Sequence, residues 1–381
     1  MKRYLFILLL GAFCALLFQR HGLKKTVNSP VYKALCREEF GPFDEDRHLY
    51  IIVGIDYIPT ELTEIFESIT GIKVVVDIFD SNEILEAKLL AGGAKYDVVF
   101  PTAWPHFSRQ LKAGIYRKLD KNRVNLSVFN DHIMKRLAEY DVDNDYAIPF
   151  QFGISGIGIN EEIAKKVLGD FPRNTFALIF DPANAEKLCR YGISVYESPN
   201  EIFPAVLAYL GMNPESSDKS DIEKATEHLR KIRPYVSKFT SFGFEDLAAG
   251  NACIVLGTSG DIIKVRKDGN NPNIKFLRPK EGISLWVDVA AIPAKAEHIN
   301  NAYAFFKFLF HPKVIAEVTN ITSRANAVTK SAVHVRKDLK NNPDIYPTAD
   351  TMKKCYIEKP LPADLEALKT RLLTKIKSTD G

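Results

Sequence analysis

Residues 49–79 read LYIIVGIDYIPTELTEIFESITGIKVVVDIF, and this stretch decides the fold class. Residues 49–53 form an apolar run that predicts a buried strand. Residues 59–70 carry apolar side chains at helical spacing, and Gly71 predicts the end of that helix. Residues 72–79 are rich in β-branched side chains, which predicts a second strand. A strand, a helix and a strand in this order are typical of parallel α/β structure.

The same alternation continues on both sides of a glycine-rich extended stretch, residues 152–160. Two strand–helix units without an internal repeat predict two lobes of an α/β protein. Beyond the opening stretch we predict a helix capped by Ser81, strands at residues 97–100, 192–196, 254–256 and 285–292, and helices at residues 199–210, 298–310 and 363–376.

Length and composition exclude several classes of protein. A chain of 381 residues is too long for one ordinary domain. Its hydrophobic content of 46% and charged content of 26% are typical of a soluble globular protein, so its cores need no metal or disulfide for stability. The net charge of +4 is mild and comes without a long basic run, which argues against nucleic-acid binding.

The N-terminus predicts export. Lys2 and Arg3 precede an apolar run at residues 4–18, which is typical of a secretory signal. The run is shorter than the ~20 residues that a transmembrane helix needs. We therefore predict a signal peptide at residues 1–20 followed by a linker at residues 21–47, and a periplasmic location. An uncleaved N-terminal anchor is the alternative.

The five cysteines are Cys14, Cys36, Cys189, Cys253 and Cys355. Export would permit disulfides, and the four cysteines beyond the signal allow three pairings. Cys189 and Cys253 each precede a predicted strand in the same half of the chain, which favours that pair. Buried free thiols are the alternative.

The residues that follow the predicted strands are rich in carboxylates. In open α/β sheets, ligands bind beyond the carboxyl ends of the strands. Several carboxylates in one cleft repel each other unless a cation pairs with them, and neighbouring aromatic rings favour an organic amine over a metal ion. The strand-end candidates are Asp56, Tyr57, Thr102, Glu201, Thr258, Asp261, Trp286 and Asp288.

Most of these candidates also have a purely structural explanation. Glu201 can complete a capping box, Asp261 can cap a helix, and Asp56 can occupy a turn. Trp286 can pack in a core. Asp288 differs, because it lies inside an apolar strand where a lone carboxylate needs a partner.

Several motifs, in order and at matching spacing, resemble the periplasmic spermidine/putrescine-binding proteins of ABC transporters, especially the putrescine-specific branch. The resemblance extends from about residue 49 to residue 377. It is carried by DYI (56–58), TGIKVVVDIFDSNE (70–83), YDVVFP (96–101), GIGIN (156–160), PKEG (279–282), DV (288–289), ANA (325–327) and NPDIYP (342–347).

The resemblance implies a type II periplasmic-binding-protein fold, with two hinged lobes of mixed sheets flanked by helices. Lobe 1 would comprise residues 48–152 and about 276–322, and lobe 2 residues 153–275 and about 323–381. The ligand would be a putrescine- or spermidine-like cation. The partners would be an ABC permease and its ATPase. The protein would be a monomer and would bind no cofactor and no metal.

The resemblance also assigns roles to site residues. Acidic positions would bind amine ends, aromatic positions would sandwich the alkyl chain, and Thr102 matches a small hydroxyl position. This sequence departs from the family at three places. Gly54-Ile55 replaces Trp-Ser, Thr258 replaces Trp, and Arg324 replaces an aromatic residue. We expect Arg324 to weaken or redirect polyamine binding, because it brings a fixed positive charge to the acidic cleft.

Two other functions fit less well. A ligand sensor or membrane-anchored binding module of the same fold, for another amine or an amino-acid-like ligand, is the main alternative. Enzymatic activity is disfavoured, because the eight histidines avoid the predicted strand ends and neither a nucleophile elbow nor a phosphate-binding loop is present.

Overall fold

The computed structural model describes residues 29–91, 95–357 and 359–378. The predicted signal or anchor and residues 21–28 of the predicted linker lie outside these residues. The described strands are β1 (His48–Gly54), β2 (Lys73–Phe79), β3 (Val98–Val99), β4 (Ala147–Asn160), β5 (Ile193–Val195), β6 (Lys238–Phe239), β7 (Ile254–Thr258), β8 (Ile274–Leu277), β9 (Ser284–Ala291) and β10 (Ala325–Asn326).

The helices follow the same chain order. The α-helices of the described residues are α1 (Pro30–Leu35), α2 (Thr60–Thr70), α3 (Asn82–Leu90), α4 (Ser108–Lys112), α5 (Asp131–Leu137), α6 (Glu161–Leu168), α7 (Ala177–Phe180), α8 (Pro182–Leu188), α9 (Pro199–Tyr209), α10 (Lys219–Ile232), α11 (Gly243–Ala249), α12 (Ser259–Asp268), α13 (Ile299–Leu309), α14 (Pro312–Thr322), α15 (Lys337–Lys340), α16 (Ala349–Lys354) and α17 (Ala363–Lys377). Shorter helical turns lie at Ala103–Phe107, Leu126–Val128, Val142–Asn144, Cys189–Tyr191, Arg233–Tyr235 and Thr329–Val333.

Local sequence signals set the ends of these elements. Gly71 ends α2 in the left-handed conformation, at φ 71°, as its position predicts. The Ser81 side chain accepts a hydrogen bond from the Ile84 amide and caps α3, also as predicted. The predicted strands and helices are all present, with ends shifted by a few residues.

The strands form one hydrogen-bonded sheet in the order β2-β1-β3-β9-β4-β7-β5-β6, and β8 and β10 pair with β4. Strand β1 is parallel to β2 and β3, and β5 is parallel to β6 and β7, as the strand–helix alternation predicts. Strands β4 and β9 are antiparallel to each other and make the sheet mixed. Because β4 is 14 residues long and pairs with strands of both halves, two separate sheets do not form.

Buried side chains form two large clusters, here called the first and second cores. The first includes β1, β3, β9 and α13, and the second includes β5, α9 and α10. Strand β4 passes from one to the other, because Ile154 lies in the first core and Ile157 in the second. The limits of the two lobes remain a prediction. The sequence-based division assigns residues 325–355 to lobe 2, whereas their buried side chains pack in the first core.

The predicted Cys189–Cys253 disulfide is wrong. Cys36, Cys189, Cys253 and Cys355 are free thiols in the described part of the chain. The Cys189 thiol donates to the Glu186 carbonyl oxygen of its own helical turn at 3.0 Å. Burial raises the pKa of the Cys253 thiol to about 12, so this side chain packs as an unreactive apolar group.

Candidate ligand-binding site

A cavity of about 190 Å³ lies between the two cores. Most of its lining residues lie at or just beyond the carboxyl ends of β1, β2, β3, β5, β6 and β7, where ligands of open α/β sheets bind. Ser155 lies inside β4, Trp286 and Asp288 lie inside β9, and Arg324 directly precedes β10. Eight of the nine residues predicted for the site line it: Tyr57, Thr102, Glu201, Thr258, Asp261, Trp286, Asp288 and Arg324. The remaining lining residues are Asp80, Ser81, Asn82, Glu83, His106, Ser155, Ser198 and Ser241.

Asp288 is the most deeply buried carboxylate of the cavity, with 2% of the residue exposed. The Thr102 hydroxyl donates to Asp288 Oδ1 at 2.7 Å. Asn82 fixes Thr102, because the Asn82 amide donates to Thr102 Oγ1 and accepts from the Thr102 backbone N–H, each at 2.9 Å. Burial raises the pKa of Asp288 even though hydrogen bonds from Tyr57 and Thr102 favour its ionised form. A cation beside Asp288 would stabilise that form.

Two glycines allow aromatic rings to line the cavity. A Cβ atom at Gly54 would lie 2.6 Å from Tyr57 Cε1, and one at Gly153 would lie 2.4 Å from Trp286 Cζ2. Gly153 faces Trp286 across the β4–β9 pair, so only a residue without a side chain leaves room for the indole. Burial raises the pKa of Tyr57 well above its ordinary value, which keeps its hydroxyl neutral.

Arg324 and Asp261 form an ion pair in the cavity wall. Arg324 Nη2 donates to Asp261 Oδ1 at 2.8 Å, and the Thr258 hydroxyl donates to Asp261 Oδ2 at 2.8 Å. The guanidinium carbon lies 5.1 Å from the centroid of the Tyr57 ring. Burial opposes the charge of Arg324, but Asp261 and other neighbouring groups raise its pKa above the ordinary value. Arg324 therefore stays charged.

Glu201 lies in the first turn of α9, on the side of the cavity formed by the second core. Burial raises its pKa to about 8, and the negative charges of Glu83 and Glu197 add to the shift. Glu83 comes from α3, and Ser198 Oγ donates to Glu83 Oε1 at 3.5 Å between the two sides of the cavity. This end of the cavity is therefore acidic, and His106 lies beside it, with its Nε2 atom 3.9 Å from Glu83 Oε1.

This arrangement of buried carboxylates, hydroxyls and aromatic rings between two cores suits a small bound molecule. The sequence pattern of the family described as "Bacterial extracellular solute-binding protein" matches residues 61–348. The chain belongs to this family.

Several relatives of this solute-binding protein have established names. The chain is 41% identical over 341 residues to the putrescine-binding periplasmic protein SpuD of Pseudomonas aeruginosa strain UCBPP-PA14, covering 88% of this chain and 93% of that protein. It is 37% identical over 364 residues to the putrescine-binding periplasmic protein PotF of Escherichia coli K12, covering 93% and 98%. In fold it resembles a putative spermidine/putrescine ABC transporter from Listeria monocytogenes, with a TM-score of 0.79, 24% identity and coverage of 87% and 99%.

These comparisons confirm the predicted family and its two-lobed type II fold. Because the family and its relatives are solute-binding proteins, the chain is a binding protein and not an enzyme. Within the residues that the structure describes, no group of three or more His, Cys, Asp or Glu side chains is placed to hold a metal ion. Among the described helices, none is both long and apolar enough to cross a membrane.

Asp56 is the predicted site residue that the structure places elsewhere. Its φ of 58° turns the chain outward after β1, and its side chain lies in an adjacent cavity of about 150 Å³, 3.7 Å from Lys264 Nζ. Sequence reasoning also missed Asn82 and Glu83. The strand-end rule would have found both, because they follow β2 just as Tyr57 follows β1.

Proposed function

We propose that this solute-binding protein captures a small organic cation of the polyamine class between its lobes and delivers it to an ABC permease and its ATPase. The proposal includes a periplasmic location, as for the relatives. The observation that carries it is the pair of cavity carboxylates, Asp288 and Glu201, whose burial makes an unpaired negative charge unfavourable. An ammonium group neutralises that charge through charge-assisted hydrogen bonds.

The cavity supplies each part of such a ligand with a matching contact. Thr102 and Tyr57 orient Asp288 toward an ammonium group. The ring of Trp286 offers apolar and cation–π contact to an alkylammonium chain, worth roughly 0.5–2 kcal/mol, and the Tyr57 ring adds apolar contact. Glu201 supplies a second carboxylate from the other side of the cavity.

Ligand binding would also hold the two sides of the cavity together. Asp288, Thr102 and Tyr57 belong to strands or loops beside the first core, whereas Glu201 lies in the first turn of α9, a helix of the second core. A molecule that contacts both groups favours the arrangement in which the lobes approach each other. That arrangement would be the one that docks on the permease.

Calorimetry of the purified protein tests the proposal with putrescine, cadaverine, spermidine and agmatine. We expect binding of at least one of these amines, and Asp288→Asn to weaken it at least about 30-fold, because a buried charge partner is lost. Saturating amine should also raise the free energy of unfolding, by about 2.7 kcal/mol at 100 times the dissociation constant.

The matched control is Asp350→Asn, which removes a carboxylate whose side chain is 88% exposed on α16. This variant should bind amines like the unmodified protein. If no amine binds, or if Asp288→Asn binds as tightly as Asp350→Asn, the proposal is wrong.

A further inference from the structure

Arg324 is held rigidly at the cavity wall. Ser323 ends α14 in the left-handed conformation, at φ 59°, and the Arg324 backbone N–H donates to Thr322 Oγ1 at 3.2 Å. The next two residues form β10, in which Ala325 pairs with Phe152 of β4. The backbone on both sides of Arg324 is therefore fixed, and the direction of its side chain is set by the fold.

The Arg324 guanidinium occupies one cation position of the cavity. One oxygen of Asp261 accepts from Arg324 and the other accepts from Thr258, so both are already bonded. The face of the Tyr57 ring nearby is covered by the same guanidinium. A ligand ammonium placed at Asp261 would meet a filled carboxylate and a like charge, which disfavours a second cation at this end.

Two donors of the residues that line the cavity lack acceptors. Arg324 Nη1 and Trp286 Nε1 are both buried, and neither has a hydrogen-bond partner among the described residues. Both residues line the cavity. Buried N–H groups without an acceptor are costly, and a guanidinium can only donate. An oxygen of the ligand would satisfy them.

The other carboxylates of the cavity require the opposite chemistry. Asp288 receives its hydrogen bonds from the neutral side chains of Thr102 and Tyr57, while the nearby charge of Arg324 also lowers its pKa. Glu201 has acidic neighbours in Glu83 and Glu197. These positions suit an ammonium group, as the proposed function states. The cavity thus combines a cation-binding part with an acceptor-binding part.

We propose that the preferred ligand carries one ammonium group and, at its other end, an oxygen acceptor for Arg324. An ω-amino acid and a mono-N-acylated diamine both have this chemistry. Arg324 is then the residue that determines specificity against unmodified diamines. The inference rests on the proposed function, because it retains Asp288 and Glu201 as the cation-binding groups.

Calorimetry with amines that share a four-carbon chain tests the inference. The probes are putrescine, N-acetylputrescine, 4-aminobutyrate and butylamine. We expect N-acetylputrescine or 4-aminobutyrate to bind at least about tenfold tighter than putrescine. The first result would identify a carbonyl oxygen as the acceptor, and the second a carboxylate. Arg324→Gln should reverse the order, with a loss of about tenfold or more for the preferred ligand.

Two further variants separate specificity from folding. Arg371→Gln removes an exposed arginine of α17 and should leave the order of affinities unchanged. Asp261→Asn keeps Arg324 but removes its counter-charge. This variant should bind putrescine still more weakly, but it should bind the ligand with an oxygen acceptor as before. If Asp261 itself bound an ammonium group of a diamine, the variant would instead lose affinity for both ligands.

Two outcomes would overturn the inference. If putrescine is the tightest ligand and Arg324→Gln leaves its affinity unchanged, the inference fails and the proposed function stands. If none of the four probes binds, the inference fails, and the proposed function fails with it only if cadaverine, spermidine and agmatine do not bind either.

Discussion

At the scale of single residues, Glu201 should couple ligand binding to proton release. Its pKa of about 8 means that it is mostly protonated at pH 7 in the free protein. A bound cation favours the ionised form, so binding near pH 7 should release close to one proton, and affinity should rise as the pH increases toward 8. Calorimetry in two buffers of different ionisation enthalpy measures the proton count.

Glu201→Gln should remove most of this proton release, whereas Glu223→Gln, on the exposed face of α10, should not change it. The raised pKa of Glu201 also makes the free energy of unfolding depend on pH.

In the unfolded chain Glu201 ionises near the ordinary glutamate pKa of 4.5, well below its pKa in the folded protein. The free energy of unfolding should therefore fall as the pH rises from about 4.5 to 8. Proton uptake on binding would contradict the assignment.

Some single site residues could be predicted from the sequence, and others could not. Asp288 could be recognised because a carboxylate inside an apolar strand needs a partner, and the structure supplies Thr102. Asp56 follows its strand equally closely but turns outward, because one residue with positive φ redirects the chain. Local sequence does not reveal that φ. The Arg324–Asp261 pair joins residues 63 positions apart, so no local pattern predicts its geometry.

At the scale of elements, Thr258 should contribute to stability by capping α12. Its hydroxyl accepts from the Asp261 backbone N–H at 3.4 Å and donates to the Asp261 carboxylate at 2.8 Å. Thr258→Val keeps the shape but loses both bonds, and should lower the free energy of unfolding by about 1 kcal/mol in urea titrations. Thr258→Ser retains the hydroxyl and should stay close to the unmodified protein. Equal stability of the two variants would refute the cap.

The elements themselves were predictable because their signals are local. Helical spacing, Gly71 and Ser81 each act within a few residues, and the structure has α2 and α3 where they predict them. The continuous sheet was not predictable, because the pairing of β4 with β9 brings together Gln151 and Asp288. Nothing in either strand specifies its distant partner. The same pairing places Trp286 opposite Gly153, which is why the aromatic side of the cavity needed the structure.

At the scale of the whole molecule, polar contacts join the two sides of the cavity. Arg324 bonds Asp261, Ser198 bonds Glu83, and Lys264 Nζ lies 3.7 Å from Asp56. The first two contacts lie among the cavity residues, so a ligand can change them directly. The third lies in the adjacent cavity and involves no residue that lines the main one. It can therefore influence closure without touching the ligand.

This separation predicts a kinetic effect for Lys264→Ala. The Asp56 side chain is 67% exposed and that of Lys264 32%, and such surface pairs are worth roughly 0–1 kcal/mol. Losing the pair should speed ligand dissociation, by at most about fivefold, because only the closed arrangement is weakened. Stopped-flow fluorescence can follow dissociation, because Trp286 lies in the cavity wall. Lys267→Ala, one turn further along α12, is the matched control and should dissociate at the original rate.

Salt distinguishes this mechanism from a general loosening of α12. At 0.5 M NaCl the screening length is roughly 4 Å, so the exposed Lys264–Asp56 attraction should be largely lost in the unmodified protein as well. The dissociation rates of the unmodified protein and Lys264→Ala should then converge. A damaged helix would instead keep its faster dissociation at every salt concentration. Persistence of the difference at high salt would therefore show that Lys264 acts through the packing of α12 and not through its charge.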